Sequence, residues 1–102
     1  MTQVYAERNG DHYELFAHGH ATGKPEVCAA ISSIVYALAG YIGNATDGST
    51  LAYDDRLKSG STHIHFRGGE GAKGAFEMAV IGLAQIAKAY PEQVQVEYRE
   101  EK

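Results

Sequence analysis

Two residues of this sequence are of types that do covalent chemistry together: His20, flanked by Gly19 and followed by Gly23, and Cys28, the single cysteine of the 102 residues. A thiol is a weak nucleophile at neutral pH, since an unperturbed cysteine titrates near roughly 8.5. Two surroundings favour the thiolate. A helix N-terminus, with unpaired N–H groups and the positive end of the macrodipole, favours negative charge by about 0.3–1 kcal/mol. An imidazolium within hydrogen-bond reach does so as well. Pro25 suits the first helical turn, where its missing N–H costs nothing, so Cys28 is expected about one turn into a helix. Gly19 and Gly23 tolerate positive φ and let the loop turn back. His20 is then able to reach Cys28, and the first-turn N–H groups become candidate oxyanion donors.

The same residues have a plainer reading. A lone cysteine followed by Ala29-Ala30-Ile31 is commonly a small buried hydrophobe, and a histidine in a polar loop is commonly just solvated. Ser32, four residues after Cys28, shares its helix face. It is placed either to bond His20 or to back-bond its own helix.

The elements that must hold this pair follow from periodicity. Thr2 to Arg8 reads as a strand, Asn9-Gly10 as a type I′ hairpin turn, and His12 to Ala17 as the returning strand. In that strand Tyr13, Leu15 and Ala17 share one face. It delivers the chain to Gly19-His20-Ala21. Pro25 to Ile42 is a helix with Ile31, Ile34, Val35, Leu38 and Ile42 on one stripe. Its other faces are apolar too, which points to burial on more than one side or to a subunit interface. Gly43 or Asn44 is expected in the left-handed cap position.

Ser49 to Asp55 and Ser61 to Arg67 read as a second hairpin about Lys58-Ser59-Gly60, with Leu51 and Tyr53 alternating, then Ile64 and Phe66. Gly68 to Gly74 reads as a flexible connector; it lacks the Gly-Lys-Ser/Thr ending of a phosphate-binding loop. Ala72 to Tyr90 is a second helix, with Phe76, Val80, Leu83, Ala87 and Tyr90 on one stripe. Pro91 ends it. Gln93 to Arg99 is the last strand, and Glu100 to Lys102 a frayed tail. The order ββαββαβ predicts an α+β fold: a two-layer sandwich with a mostly antiparallel sheet and both helices on one face.

The chain is short enough for one domain spanning residues 1–102. A net charge of −4 does not favour direct nucleic-acid binding. One cysteine allows no internal disulfide and fits a reducing compartment, which points to the cytoplasm. The first residues are polar, unlike a signal peptide, and the apolar run Ile34 to Ile42 is too short to span a membrane.

Gly19-His20-Ala21, a short loop, then Val27-Cys28-Ala29-Ala30-Ile31-Ser32 resembles the signature of the ribosomal-processing cysteine protease family (Prp). An opening hairpin, a glycine-rich second helix and Tyr90-Pro91-Glu92 before a last strand extend the resemblance over nearly the whole chain. The resemblance implies a cysteine endopeptidase that removes a short N-terminal extension from a bacterial large-subunit ribosomal protein precursor. It implies His20 as general base and Cys28 as nucleophile, Ser32 as the family's serine, no cofactor, and a homodimer. Many members carry a longer loop with an aspartate three residues before the cysteine. Here Pro25 holds that place, so no acidic residue is carried over. The shortened loop raises the alternative of a phage-encoded relative that processes another precursor.

Two readings of other classes stand beside this one. His18-x-His20 and His63-x-His65 have the spacing of strand-borne metal ligands, with Cys28 as a third. A non-catalytic module that binds a peptide along a sheet edge and dimerises is the other.

Overall fold

The computed structural model describes residues 1–20, 24–44, 50–58 and 60–101. The order is β1 (Thr2–Asn9), β2 (His12–His18), α1 (Pro25–Asn44), β3 (Thr50–Lys58), β4 (Ser61–Gly68), α2 (Glu70–Ala89) and β5 (Val94–Glu101). The five strands form one sheet in the order β3-β4-β2-β1-β5. The pairs β1/β2, β2/β4 and β3/β4 are antiparallel; β1/β5 is parallel. This is the α+β sandwich that the element order predicts.

Strand directions explain why both helices lie on one face. β4 and β5 point the same way, and α2 carries the chain between them past β2 and β1. β2 and β3 also point the same way, opposite to that pair, and α1 carries the chain past β4 toward the other edge. Crossovers between parallel strands of one sheet are right-handed. Reversing both the strand direction and the direction of travel leaves the helix on the same face. Among the described residues the second face of the sheet therefore carries no helix.

The core lies between the sheet and that single helical layer. Val4, Ala6, Tyr13, Leu15, Ala17, Ile64, Phe66 and Val94 meet Val27, Ile31, Val35, Leu38 and Ile42 of α1 and Ala72, Phe76, Ala79 and Leu83 of α2. Tyr13 stacks on Phe66 with ring centroids 5.1 Å apart and meets Phe76 at 4.9 Å. Ile34 turns from the sheet toward α2, where a Cβ on Gly82 would sit 3.0 Å from its Cδ1. Two of the apolar faces of α1 thus make contacts, one with the sheet and one with α2. By length and composition alone α1 would also pass for a membrane span. Its stripe of Val27, Ile31, Val35, Leu38, Ala39 and Ile42 is buried in the core, while Tyr36 and Tyr41 stay exposed.

Several local expectations change. The first hairpin turns on Gly10-Asp11, since Asn9 pairs with His12. Gly10 has φ +64° and no described non-glycine residue has positive φ, the arrangement of a type II′ turn rather than I′. α1 runs through Gly43 and Asn44, and neither takes the left-handed cap. The Asn44 side chain donates to the Gly40 carbonyl (2.8 Å) and the Thr50 hydroxyl to the Ile42 carbonyl (2.9 Å), so side chains satisfy the terminal carbonyls. A bulge between Thr50 and Ala52 breaks the alternation in β3. Leu51 is left 59% exposed while Tyr53 packs against the core.

The connector reading also fails, because α2 begins at Glu70 and takes in Gly71 and Gly74. Tyr90 falls outside the helix as its C-cap. Glu100 and Glu101 are not frayed; they pair with Arg8 and Asn9, and the Arg8 guanidinium lies 3.0 Å from the Glu100 carboxylate. The expected strand start at Ser49, the turn residue Ser59 and Lys102 lie outside the described residues.

Truncating the ring at the centre of the aromatic cluster has a definite expected result. Phe76→Ala should lower stability by about 3–5 kcal/mol, the usual cost of a large core ring lost to a cavity. Met78→Ala, at a residue 73% exposed on the same helix, should stay within about 0.5 kcal/mol. Urea denaturation with an unchanged slope measures both.

Candidate active site

Cys28 is placed by its neighbours on α1. Val27 and Ile31 are both buried in the core, which fixes the rotation of the helix and sets Cys28 at the core margin, partly buried against it. Pro25 opens the helix as predicted. The amides of Val27 and Cys28 both donate to the Lys24 carbonyl, at 3.0 and 3.4 Å. Both are thereby engaged within the first turn.

His20 is placed by three segments distant in sequence. β2 ends at His18, and Gly19 follows with φ +91°, its amide donating to the Gly60 carbonyl at 2.9 Å. A Cβ on Gly19 would overlap the Met1 carbonyl, and the Met1 amino nitrogen donates to the His20 carbonyl at 2.8 Å. Gly60, with φ +75°, lies against the Nε2 side of the imidazole. A Cβ there would overlap the ring at Nε2 and stand 2.9 Å from Cε1. The ring therefore rests on bare backbone at the tip of the β3–β4 hairpin. Gly23, to which sequence reasoning gives a role in the loop, lies outside the described residues, as do Ala21 and Thr22.

His20 and Cys28 border one cavity of about 150 Å³. Ser32 lines the same cavity, one turn beyond Cys28. Its neighbour Ser33 makes the helix back-bond, hydroxyl to the Ala29 carbonyl at 2.8 Å. Among the described residues Ser32 makes no hydrogen bond to His20. Ala17, Ile31 and Val35 supply apolar wall, while Lys58, Ser61 and Thr62 supply polar wall. Thr62 is held by its hydroxyl to the Ala17 carbonyl at 3.3 Å.

Lys58, Gly60 and Thr62 are site residues that the sequence reading missed. They belong to a hairpin that reaches the site only because β4 pairs with β2, a long-range contact. The one local signal was the glycine at a hairpin tip.

The histidine pairs do not converge. His63 reaches Glu14 at 3.1 Å and stacks on Phe16 on the helix-free face, while His65 stacks on His12. Among the described residues no three His, Cys, Asp or Glu side chains are grouped to hold a metal ion.

Residues 1–95 match the family model described as Cysteine protease Prp. The chain belongs to the Prp cysteine protease family. Membership makes it a cysteine peptidase and agrees with the resemblance read from Gly19-His20-Ala21 and Cys28. No curated protein matches the sequence closely enough to add to this.

Solved structures share the Prp fold. One is an essential ribosomal processing protease Prp from S. aureus in complex with a covalently linked product peptide, with a TM-score of 0.73 and 21% identity over 96% of this chain and 99% of that one. The same enzyme in complex with a substrate peptide gives 0.75 and 20% over 96% and 99%. SMU.848 from Streptococcus mutans gives 0.75 and 20% over 99% of each chain.

The seat under His20 can be tested with two glycines of similar φ. Gly60→Ala should lower kcat/KM by about 100-fold, the order expected when a reacting group is displaced by about an ångström. Gly10→Ala carries comparable backbone strain with no atom within 4 Å of the new Cβ. It should cost about 1–2 kcal/mol of stability and leave kcat/KM unchanged. Equal effects of both variants on activity would mean that the Gly60 contact with the ring does not matter.

Proposed function

We propose that the protein is an endopeptidase of the Cys–His dyad type that removes a short N-terminal extension from a precursor of a large-subunit ribosomal protein. The observation that carries this reading is the placement of His20 and Cys28 on one cavity, the imidazole on a bare glycine and the cysteine at a helix start. In the proposed sequence His20 takes the thiol proton and the Cys28 sulfur attacks the scissile carbonyl. His20 then gives that proton to the leaving amine, and water hydrolyses the thioester. The Glu26 N–H is the first-turn amide not engaged by Lys24, and it is our candidate for an oxyanion donor. Ser32 on the cavity wall is the candidate to orient the His20 ring.

Two observations support the substrate class. A structurally similar Prp from S. aureus is described as a ribosomal processing protease and has been seen with a substrate peptide. The net charge of −4 also suits attraction of a basic ribosomal protein. The reading includes a homodimer and a cytoplasmic setting, as the family resemblance and the single thiol imply. The loop departure at Pro25 keeps a second substrate in view: a different precursor, as a phage-encoded relative would process.

The test is incubation of wild type, Cys28→Ser and His20→Ala with the precursor ribosomal protein of the same source, read by intact mass. Wild type should remove one N-terminal segment. Cys28→Ser should remove none, and His20→Ala should be slower by about 10²–10⁴-fold. Cleavage by Cys28→Ser would overturn the nucleophile assignment. No cleavage by wild type would overturn the ribosomal substrate.

A further inference from the structure

The cavity beside Cys28 and His20 has an exposed mouth and a buried inner end. His20, Ser32, Tyr36 and Lys58 are exposed and form the mouth. Thr2, Ala17, Ile31 and Val35, none more than 6% exposed, form the inner end. Three of these four are apolar. Thr2 brings the one polar side chain, and its Oγ1 is shielded from solvent without a hydrogen-bond partner. Among the described residues it is the single buried side-chain polar atom in that condition.

The strand that carries Thr2 does not account for the hydroxyl. The Thr2 amide donates to the Gln93 carbonyl at 2.8 Å, so the backbone is already paired there. Val4 and Ala6, the next residues on the same face, are core hydrophobes. Thr62, the other threonine of the cavity, shows the usual arrangement, its hydroxyl donating to the Ala17 carbonyl at 3.3 Å. A buried hydroxyl without a partner is destabilising, and a valine would fill nearly the same shape without that cost. Native proteins pair nearly all such atoms, so an exception beside a cavity calls for a partner from outside the chain.

We infer that the inner end of the cavity is a subsite for a hydroxyl-bearing substrate side chain, threonine or serine, and that Thr2 is the residue that selects it. The inference rests on the endopeptidase reading above and names the side chain that its cavity takes. That side chain belongs to the residue supplying the attacked carbonyl. Cys28 borders the cavity, and the Cα of that residue is bonded directly to the carbon that the sulfur attacks. The Cα beyond the cleaved bond is one atom further away.

The chemistry of the inner end sets aside the other side-chain classes. An amide brings two N–H donors and an acceptor oxygen, more than one hydroxyl satisfies. A carboxylate would lose its hydration without a cation at that depth, since Lys58 stands at the mouth. A basic side chain finds no acidic residue among those lining the cavity. An apolar side chain leaves the Thr2 hydroxyl unpaired. A hydroxyl offers one donor and acceptor sites on a single atom, the match of Thr2 itself. The methyl of a threonine would meet Ala17, Ile31 and Val35, and about 150 Å³ holds one such side chain.

Peptides that differ at one residue test this. A proteome-derived peptide library is digested with wild type, with Cys28→Ser as the blank, and the cleaved bonds are read by mass spectrometry. The best-cleaved peptide is then remade with threonine, serine, valine or asparagine before the cleaved bond. Wild type should show a kcat/KM for threonine about five- to tenfold above that for valine, the worth of one net hydrogen bond. Thr2→Val should invert that order, and Thr2→Ser, which keeps the hydroxyl, should retain it, with circular dichroism confirming the fold of each. Equal cleavage of the threonine and valine peptides by wild type, a comparison that needs no variant, would overturn the subsite and leave the endopeptidase standing. A threonine preference that survives in folded Thr2→Val would do the same. Failure of wild type to cleave any peptide of the library would overturn the endopeptidase reading and the subsite with it.

Discussion

The handedness of two crossovers is the constraint on which the rest of this structure depends. α1 and α2 each join parallel strands of one sheet, and they travel in opposite senses along strands of opposite direction. The right-handed rule then puts both on the same side. That outcome builds a single core, with the Tyr13, Phe66 and Phe76 rings at its centre. It also leaves the opposite face bare.

Among the described residues, His20 and Cys28 take their places from packed elements of the fold. Cys28 takes its place from Val27 and Ile31, each almost wholly buried. His20 takes its place from the end of β2, the Met1 backbone and the tip of the β3–β4 hairpin. Gly60 matters because a ring can approach backbone this closely only where no Cβ intervenes, and its φ of +75° is one that other residues adopt only at a cost. Side chains held by packed elements keep their geometry better than side chains on loops.

Most of the scaffold was legible in the sequence, and the misses share a cause. The strands and helices announced themselves by alternation and by the 3.6-residue stripe, and Cys28 and His20 stood out by residue type. Missed features were those decided by partners far along the chain. Leu51 reads as alternating with Tyr53 on one face, but a bulge leaves it exposed. Glu100 and Glu101 looked like a tail because nothing local reveals that β1 is a parallel partner for them. Gly71 and Gly74 looked like a connector, yet α2 packs Ala72 and Phe76 into the core and the burial outweighs the low helix propensity of glycine. That the Lys24 carbonyl takes up two first-turn amides is a detail of cap geometry that residue type does not encode.

On the proposed reading, the size of the cavity limits what it can do for substrate selection. A space of about 150 Å³ accommodates one side chain. Burying one large apolar side chain yields about 1.5–3 kcal/mol, less than the roughly 4 kcal/mol that even millimolar binding requires. The rest must come from contacts along the substrate backbone. β3 is a terminal strand of the sheet, and its end at Lys58 lies on the cavity rim. A substrate segment laid along that edge would gain main-chain hydrogen bonds without regard to its sequence, leaving the cavity to select one residue. That division of labour favours a flexible terminal extension over a folded loop, because only an unstructured segment offers a free strand to an edge.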